Sequence, residues 1–325
     1  MGCEGSKNAP IRVVAVSGPT AGGKTGLAIA LAKALDGEIV CCDSMQIYRG
    51  MDVGTAKPTA EELAAVPHHM VNILEPTESF SAADYAVLAE KAVTEIAFRG
   101  RLPILCGGTG LYLEALRTDR HGTPMACDEE YRASLLRMAE AEGKEAVHAL
   151  LAEVDPASAA TTHPNNLRRV VRALEIYHVT GKTKTETDRE AATENPRLSL
   201  LNLTLFYRNR AILYDRIDRR VEQMMWEGLL EETERLYRTG RLVPGTTAAA
   251  AIGYKECLGA VTGEMTAEEA VETLKNATHH YAKRQETWFS AHPHLPLYAD
   301  DENGMRPFEE VLAEAKAQVL SFLKA

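Results

Sequence analysis

Apolar positions follow two different spacings along the first third of the chain. Arg12–Ser17 (RVVAVS) is a β-branched apolar run that is typical of a strand buried on both faces, and Glu38–Cys42 and Leu102–Cys106 are similar runs. Lys24–Leu35 and Asp84–Phe98 instead place apolar residues at helical spacing. Strands that alternate with helices predict a parallel sheet with right-handed crossovers.

Beyond Arg117 the pattern is mostly helical. A polar connector at 117–127 precedes Asp128–Thr180, which has helical spacing apart from breaks at Asp155-Pro156 and His163-Pro164. Strand character returns at Leu198–Tyr207. Long helical stretches then follow at Ala211–Thr239 and Thr266–Ala291.

These elements predict an α/β fold with a P-loop NTPase-like parallel sheet core and a helical insertion domain. The core comprises 11–117 and 208–325, with a further short strand expected at Met70–Leu74, and the insertion comprises 118–207. Residues 1–10 are predicted to be a flexible leader. The leader sequence MGCEGS also fits an N-myristoylation pattern, and the sequence leaves lipidation open.

Composition narrows the class of protein. The 325 residues are 45% hydrophobic and 25% charged, which is typical of a globular chain and excludes disorder or coiled coil as a description of the whole. The sequence has no run of eighteen apolar residues, so it predicts no transmembrane helix. It also has no apolar segment after the first residues, so it predicts no secretory signal.

Charge and cysteine usage point to a cytoplasmic enzyme. The net charge is −10, so any contact with nucleic acid must use local basic patches. The six cysteines form no C-x-x-C pair and no zinc-like spacing with histidine, which favours a reduced compartment. Nothing in the sequence indicates an obligate dimer, so we expect a monomer that does not associate with membranes.

A phosphate-binding motif lies between the first strand and the first helix. GPTAGGKT matches G-x-x-x-x-G-K-[ST], in which backbone N–H groups and a helix N-terminus surround phosphate oxygens. The lysine reaches the terminal phosphates and the threonine hydroxyl can bind Mg²⁺. The predicted diphosphate- or nucleotide-binding residues are Gly18, Pro19, Thr20, Ala21, Gly22, Gly23, Lys24 and Thr25, with Thr25 as the Mg²⁺ ligand.

Polar groups follow two other predicted strands at the same edge of the sheet. Asp43 could hold Mg²⁺, take a proton from an acceptor or cap a turn, and these alternatives stay open on position alone. Ser44 and Gln46 could read a base edge, and the Gly107–Gly110 turn carries Thr109 as a possible phosphate donor.

Basic residues cluster on predicted helices. Arg168, Arg169 and Arg172 fall within little more than one helical turn, and Lys283 and Arg284 lie near Trp288 and Phe289. Such clusters suit RNA phosphates, the lid of a nucleotide kinase or an ordinary solvated helix face.

Six segments in the same order resemble the bacterial tRNA dimethylallyltransferase family, over about Val13 to Phe289. The segments are GPTAGGKT, DSMQIYRGMDVGTAKP, GGTGLYLEAL, RRVVRALEIYHVTGKT, AIGYKE and KRQETWF. The resemblance implies transfer of the dimethylallyl (isopentenyl) group from dimethylallyl diphosphate to N6 of the adenosine on the 3′ side of the anticodon, position 37, in tRNAs reading codons that begin with U. Diphosphate is released, and Mg²⁺ is the implied cofactor.

The resemblance also implies residue roles. Asp43 corresponds to the general base, and Thr109 and Arg216 correspond to positions near the diphosphate and the reacting base. The insertion would bind the anticodon stem-loop by shape and phosphate contacts. The implied tRNA-binding residues are Asp43, Ser44, Met45, Gln46, Arg168, Arg169, Arg172, Gly253, Tyr254, Lys255, Lys283, Arg284, Gln285 and Trp288.

The chain departs from the family pattern at three places. Ala249-Ala250 stand where Met-Gln is common, Ser290 replaces a basic residue, and Cys41-Cys42 replaces a small polar pair. The first two predict weaker tRNA contact rather than altered chemistry.

Three other functions would share part of this pattern. A small-molecule P-loop kinase would explain the phosphate motif but not the long Cys41–Pro58 match. An adenylate isopentenyltransferase would share Asp43 without needing the basic clusters, and a P-loop RNA-binding module would bind tRNA without consuming an allyl donor.

Overall fold

The computed structural model describes residues 9–118, 128–190 and 193–325. The strands are β1 (Ile11–Ser17), β2 (Gly37–Cys41), β3 (His68–His69), β4 (Leu102–Cys106), β5 (Leu198–Phe206), β6 (Leu295–Tyr298), β7 (Asp300–Asp301) and β8 (Gly304–Met305). The helices are α1 (Lys24–Leu35), α2 (Ala60–Ala65), α3 (Ala82–Phe98), α4 (Gly110–Arg117), α5 (Glu129–Glu142), α6 (Lys144–Val154), α7 (Pro156–Thr161), α8 (Leu167–Thr180), α9 (Lys184–Glu190), α10 (Arg210–Trp226), α11 (Leu229–Arg238), α12 (Tyr254–Val261), α13 (Ala267–Ser290) and α14 (Phe308–Lys324).

A parallel sheet of six strands forms the centre of the first unit, which comprises Met1–Leu116 and Pro196–Ala325. The strand order is β3-β2-β4-β1-β5-β6, and every neighbouring pair is parallel. The apolar runs that predict strands are buried on both faces because helices cover the sheet. The predicted α/β class with a parallel sheet is confirmed.

Three loops leave the same edge of this sheet. β2, β4 and β1 are adjacent and parallel, so their carboxyl ends lie side by side. The segments that follow them are Asp43–Gln46, Gly107–Gly110 and Gly18–Thr25. The topology therefore collects the predicted phosphate motif, the predicted base and the glycine turn in one place.

Two local predictions were wrong in detail, and positive φ angles explain both. The short strand lies at His68–His69 and not at the predicted Met70–Leu74, because Met70 and Asn72 have φ of 64° and 56° and leave the extended conformation. The helix predicted at Ala211–Thr239 divides into α10 and α11 at Gly228, whose φ is 94°.

The second unit, Arg117–Asn195, contains helices α5 to α9 and its own apolar core. Leu135, Val147, Leu151, Val170 and Leu174 are buried together in that core. The pattern of apolar residues at helical spacing accounts for α5, α6 and α8, each of which buries apolar residues, whereas α9 buries none.

The insertion was predicted to end at Tyr207, and this boundary needs correcting. Leu198–Phe206 is strand β5 of the central sheet, where it pairs in parallel with β1 over seven residues. Its apolar run belongs with the buried strands and not with the helices, so the second unit ends at Asn195.

Some predictions fall on other parts of the chain. The MGCEGS leader and most of the polar connector lie outside the described residues. In the described ranges, no helix combines the length and apolar character needed to cross a membrane.

Candidate active site

The Gly18–Thr25 loop forms one wall of a cleft of about 420 Å³. Gly18 has a φ of +132°, and a Cβ there would lie 2.6 Å from the carbonyl oxygen of Leu205. Gly23 has a φ of +90°, which also favours glycine. The loop closes with a hydrogen bond of 3.1 Å from the Gly22 N–H to the Pro19 carbonyl. The glycines thus permit a tight turn that presents backbone to the cleft.

Lys24 begins α1 and lines this cleft. Its ammonium donates a 2.7 Å hydrogen bond to the carbonyl of Pro19. Burial lowers the pKa of Lys24 to about 8, and Arg220 contributes in the same direction while Asp43 opposes it. An anion in the cleft would reverse this shift by favouring the charged form.

Asp43 lies two residues after the end of β2 and lines the same cleft. Its Oδ1 accepts hydrogen bonds from the backbone N–H of Met45 at 2.8 Å and of Gln46 at 3.3 Å. No described residue donates a hydrogen bond to Oδ2. One carboxylate oxygen therefore fixes the turn, and the other is available to a ligand.

A second cavity of about 330 Å³ adjoins the first. It is lined by Ser44, Met45 and Gly54, and by the segment Ala250–Gly253. The residues that line both cavities are Thr20, Ala21, Asp43, Thr55, Arg220 and Tyr281. The carboxylate of Asp43 thus lies where the glycine-lined cleft meets the second cavity.

Helix α10 contributes Arg216, Arg219 and Arg220 to the lining of the cleft, and Arg219 is paired with Asp215. Arg216 donates from Nε to the carbonyl of Ala21 at 2.9 Å, which ties the helix to the phosphate motif. Arg220, one turn later, lines both cavities, and burial lowers its pKa while Asp43 opposes the change. The guanidinium groups of Arg216 and Arg220 add positive charge beside the loop.

Thr109 contacts Ser44 and lines neither of these two cavities. Its Oγ1 accepts a 3.0 Å hydrogen bond from the Ser44 N–H and donates to the Ser44 hydroxyl at 3.3 Å. Gly107 permits this close approach, because a Cβ there would lie 2.0 Å from the Cys42 carbonyl oxygen. The structure therefore places Thr109 behind the turn that carries Asp43, and its predicted role near the diphosphate stays a prediction.

The amide of Gln46 is used within the protein. Nε2 donates to the carbonyls of Thr55 at 3.1 Å and Ala56 at 3.2 Å, and Oε1 accepts from the Cys41 thiol at 3.3 Å. In this conformation Gln46 braces the Asp52–Ala56 segment, whereas the sequence predicted that it could read a base.

Two of the side chains that were predicted to bind tRNA are buried in this structure. Tyr254 is 0% exposed, and its hydroxyl donates to Glu232 at 2.6 Å. Gln285 is 5% exposed and bonds two loops of the first cleft. Neither side chain presents a surface to RNA in this conformation.

The other predicted RNA residues of the first unit are at or near the surface. Lys255 on α12 and Lys283 and Arg284 on α13 are exposed, and Arg284 also lines the second cavity. Gly253 lines that cavity as well. Trp288 is half-buried, with its ring stacked on His292 at a centroid distance of 3.7 Å.

On α8 of the second unit, the three predicted arginines differ from one another. Arg168 and Arg169 are exposed. Arg172 donates to the buried carboxylate of Glu175 at 2.9 Å, and Arg132 donates to the same carboxylate at 2.8 Å. Arg172 therefore stabilises the core of this unit, and only its two neighbours are fully turned to solvent.

Sequence reasoning missed Tyr281 and gave no role to Arg220 or Glu232. Spacing alone could have found the first two, since Arg220 is four residues from Arg216 and Tyr281 is four residues from Gln285. Glu232 carried no such signal. It is 4% exposed and accepts hydrogen bonds from the N–H groups of Asp52, Val53 and Gly54 at 3.1, 3.1 and 3.2 Å, and a further one from the Tyr254 hydroxyl.

Known proteins are similar to this chain in sequence and in fold. The sequence profile of the IPP transferase family matches residues 46–292. A tRNA dimethylallyltransferase from Halalkalibacterium halodurans is 50% identical over 280 residues, which cover 86% of this chain and 88% of that protein. The full-length tRNA isopentenylpyrophosphate transferase from Bacillus halodurans has a crystal structure that aligns with a TM-score of 0.69 and 42% identity over 97% of each chain. A eukaryotic dimethylallyltransferase acting on tRNA aligns with a TM-score of 0.78 and 31% identity, over 94% of this chain and 77% of that one.

Proposed function

The chain belongs to the IPP transferase family, and we propose that it transfers the dimethylallyl group of dimethylallyl diphosphate to N6 of an adenosine in tRNA. We further propose the adenosine on the 3′ side of the anticodon as the target. The names of the relatives identify tRNA as their substrate, and the basic residues of this chain suit an RNA substrate.

One observation carries the proposal: the carboxylate of Asp43 lies between two adjoining cavities of different character. The first has the backbone and cations that suit a diphosphate. The second has enough volume for part of a flipped base, and it is lined by backbone and apolar groups such as Met45 and Ile252. A donor in one cavity and an acceptor in the other would meet at this carboxylate.

The chemistry requires a base at that point. Adenine N6 is a weak nucleophile, since its lone pair is delocalised into the ring. As N6 bonds to the allyl carbon, the bond from that carbon to the diphosphate oxygen breaks and its electron pair leaves with diphosphate. Asp43 takes the N6 proton through the oxygen that no described residue occupies, a contribution on the order of 10²–10⁴-fold.

The departing diphosphate gains negative charge, which the first cleft can stabilise. Lys24, Arg216 and Arg220 line the cleft with positive charge, and the loop adds N–H groups at the start of α1. Fixed charges of this kind favour the separated products over the intact donor.

The residues present also fit Mg²⁺ as a cofactor. Mg²⁺ prefers oxygen ligands, keeps several waters and is often bound through few protein groups together with substrate phosphates. Thr25 lines the cleft, and its hydroxyl would hold the ion, with diphosphate oxygens and water as the other ligands. Bound there, Mg²⁺ would neutralise part of the charge on the leaving group.

The oligomeric state and the cellular location that we propose are those that the sequence predicted. We propose that the protein acts as a monomer and in the cytoplasm, where tRNA is found. Light scattering on the purified protein measures the first, and microscopy of a tagged chain in cells measures the second. A stable dimer, or a tagged chain outside the cytoplasm, would contradict them.

Mass analysis of tRNA nucleosides tests the function itself. Unmodified tRNA incubated with dimethylallyl diphosphate and Mg²⁺ should yield N6-dimethylallyl adenosine. AMP supplied in the same reaction distinguishes a free-nucleotide enzyme, because that enzyme would modify AMP instead. Phosphoryl transfer from ATP to a small molecule, or tRNA binding without consumption of the allyl donor, would contradict the proposal.

A further inference from the structure

Gln285 lies on α13 within a segment that the sequence predicted to contact tRNA. Its neighbours Lys283 and Arg284 are exposed, whereas Gln285 is 5% exposed and faces the first cleft. A buried amide must find hydrogen-bond partners, because leaving its polar atoms unpaired is costly. Its partners are therefore the guide to what it does.

Both ends of the Gln285 amide are bonded to loops of the sheet edge. Oε1 accepts from the backbone N–H of Thr20 at 2.8 Å, within the Gly18–Thr25 loop. Nε2 donates to the carbonyl of Gly108 at 2.8 Å, within the Gly107–Gly110 loop. One side chain thus connects the loop after β1 to the loop after β4.

The packing around this bridge is close. A Cβ at Gly108 would lie only 2.2 Å from Nε2 of Gln285, so the absence of a side chain at Gly108 makes room for the amide. Tyr281, one turn earlier on the same face of α13, lines both cavities. The helix therefore reaches the site through two side chains at i, i+4 spacing.

We propose that Gln285 is a positioning residue that holds the Gly18–Thr25 loop in the shape that binds a diphosphate. A glycine-rich loop has many conformations to lose on binding, and fixing it beforehand lowers that cost. Gln285 fixes the loop by accepting a hydrogen bond from the Thr20 N–H, and the same amide is anchored by donating to the Gly108 carbonyl. The proposal rests on the proposed function, since it names what shapes the donor side of that site.

Gln285→Met tests the bridge, because it keeps the length of the side chain and removes both hydrogen bonds. The dissociation constant of dimethylallyl diphosphate, measured by calorimetry without tRNA, should rise about tenfold, which is about 1.4 kcal/mol. The dissociation constant of tRNA should not change. Asn276→Leu, which removes an exposed amide from the same helix, is the matched control and should alter neither constant.

The two outcomes that overturn the proposal are distinct. Unchanged affinity for the diphosphate would show that the bridge is dispensable. Loss of tRNA affinity that equals or exceeds the loss of diphosphate affinity would make Gln285 an RNA contact or a general folding residue. If the unaltered protein bound no dimethylallyl diphosphate at all, the proposed function would fail rather than the bridge.

Gly108→Ala provides a second test that leaves Gln285 in place. The added methyl group should displace the Gln285 amide and raise the dissociation constant of the diphosphate in the same way. In a Gln285→Ala background, where the clash is gone, Gly108→Ala should have little further effect. Additive effects of the two substitutions would overturn the bridge, because residues that share one interaction couple and independent residues do not.

Discussion

One cavity at Asp43 takes seven of its lining residues from the continuous stretch Thr20–Gly26, whereas the other draws its lining from shorter segments that lie far apart in the chain. The Gly18–Thr25 loop forms one continuous wall of the first cleft, and side chains such as Asp43, Arg216 and Gln285 complete it. The second cavity needs Ser44 and Met45, the Gly54-Thr55 turn and Ala250–Gly253. A phosphate is recognised by local backbone geometry, which one glycine-rich motif can provide, but a flat acceptor needs walls on several sides.

The two cavities also differ in what holds them in place. On the phosphate side, a neutral bridge from Gln285 joins two loops. On the acceptor side, the buried carboxylate of Glu232 joins the Asp52–Gly54 amides to Tyr254 at the start of α12. Substitutions on each side should therefore affect the binding of different ligands.

Asp43→Asn should have the largest effect because Asp43 belongs to both cavities. The amide can still accept hydrogen bonds from Met45 and Gln46 but cannot take a proton, so kcat should fall on the order of 10²–10⁴-fold. Both substrates should still bind. Single-turnover kinetics and separate binding titrations measure the two parts.

Asp36→Asn is the control for that substitution, since Asp36 is an exposed carboxylate at the end of α1. It should leave kcat unchanged. If Asp43→Asn weakened tRNA or donor binding as much as it lowered turnover, Asp43 would be a wall of the cavities and not the base.

Lys24 should give the next largest effect, and only on the phosphate side. Its pKa of about 8 means that, with no donor bound, the Lys24 amino group is mostly charged below that pH and mostly neutral above it. Because an anionic donor favours the charged form, donor binding near pH 8 should take up a proton, and affinity should fall as the pH rises through 8.

Calorimetry in buffers of different ionisation enthalpy measures that proton uptake. Lys24→Met should weaken donor binding roughly 10- to 100-fold, as expected when a charged hydrogen bond is removed. Lys24→Arg should bind with a flatter pH profile, since arginine stays charged. Donor affinity that is constant from about pH 7 to 9 would contradict the assignment of Lys24.

The fold and the phosphate side could be predicted because their signals are local. A β-branched run, a glycine-rich octapeptide and a helix follow one another, and strand pairing then brings Asp43 to the same edge. The bridge by Gln285 could not be predicted, because Gln285 lies 265 positions from Thr20 and 177 positions from Gly108 in the sequence. The family resemblance assigned Gln285 and Tyr254 to RNA contact because they lie in matching segments, and only the packing shows that both are buried.

Glu232→Gln should have a smaller effect, confined to the acceptor side. The amide keeps one acceptor oxygen but turns an NH₂ group towards backbone donors, which should lower the free energy of unfolding by roughly 1–3 kcal/mol. The walls formed by Gly54 and Gly253 should loosen, raising KM for tRNA several-fold without changing the affinity for the donor.

Thermal melting and steady-state kinetics with each substrate varied in turn measure this. Glu231→Gln, an exposed neighbour on α11, is the control and should leave both stability and KM unchanged. An equal loss of donor affinity in Glu232→Gln would mean that the two sides of the cleft are not held independently.

The smallest effect is expected from the arginines of α8, which lie in the second unit. Replacing Arg168 and Arg169 with glutamine should weaken tRNA binding a few-fold and make its salt dependence shallower by about 1 for each phosphate that is no longer neutralised. Arg137→Gln, an exposed arginine on α5 of the same unit, is the control and should leave the salt slope unchanged.

Arg172→Gln should behave differently from its neighbours, because its guanidinium is bonded to the buried Glu175 carboxylate. Removing one partner of that pair leaves Arg132 to compensate the charge alone. The second unit should therefore lose stability, visible as a lower melting temperature, while the salt slope of the folded protein stays close to that of the unaltered chain. A slope that falls as much as in Arg168→Gln, with no change in melting temperature, would restore Arg172 to the RNA surface that the sequence predicted.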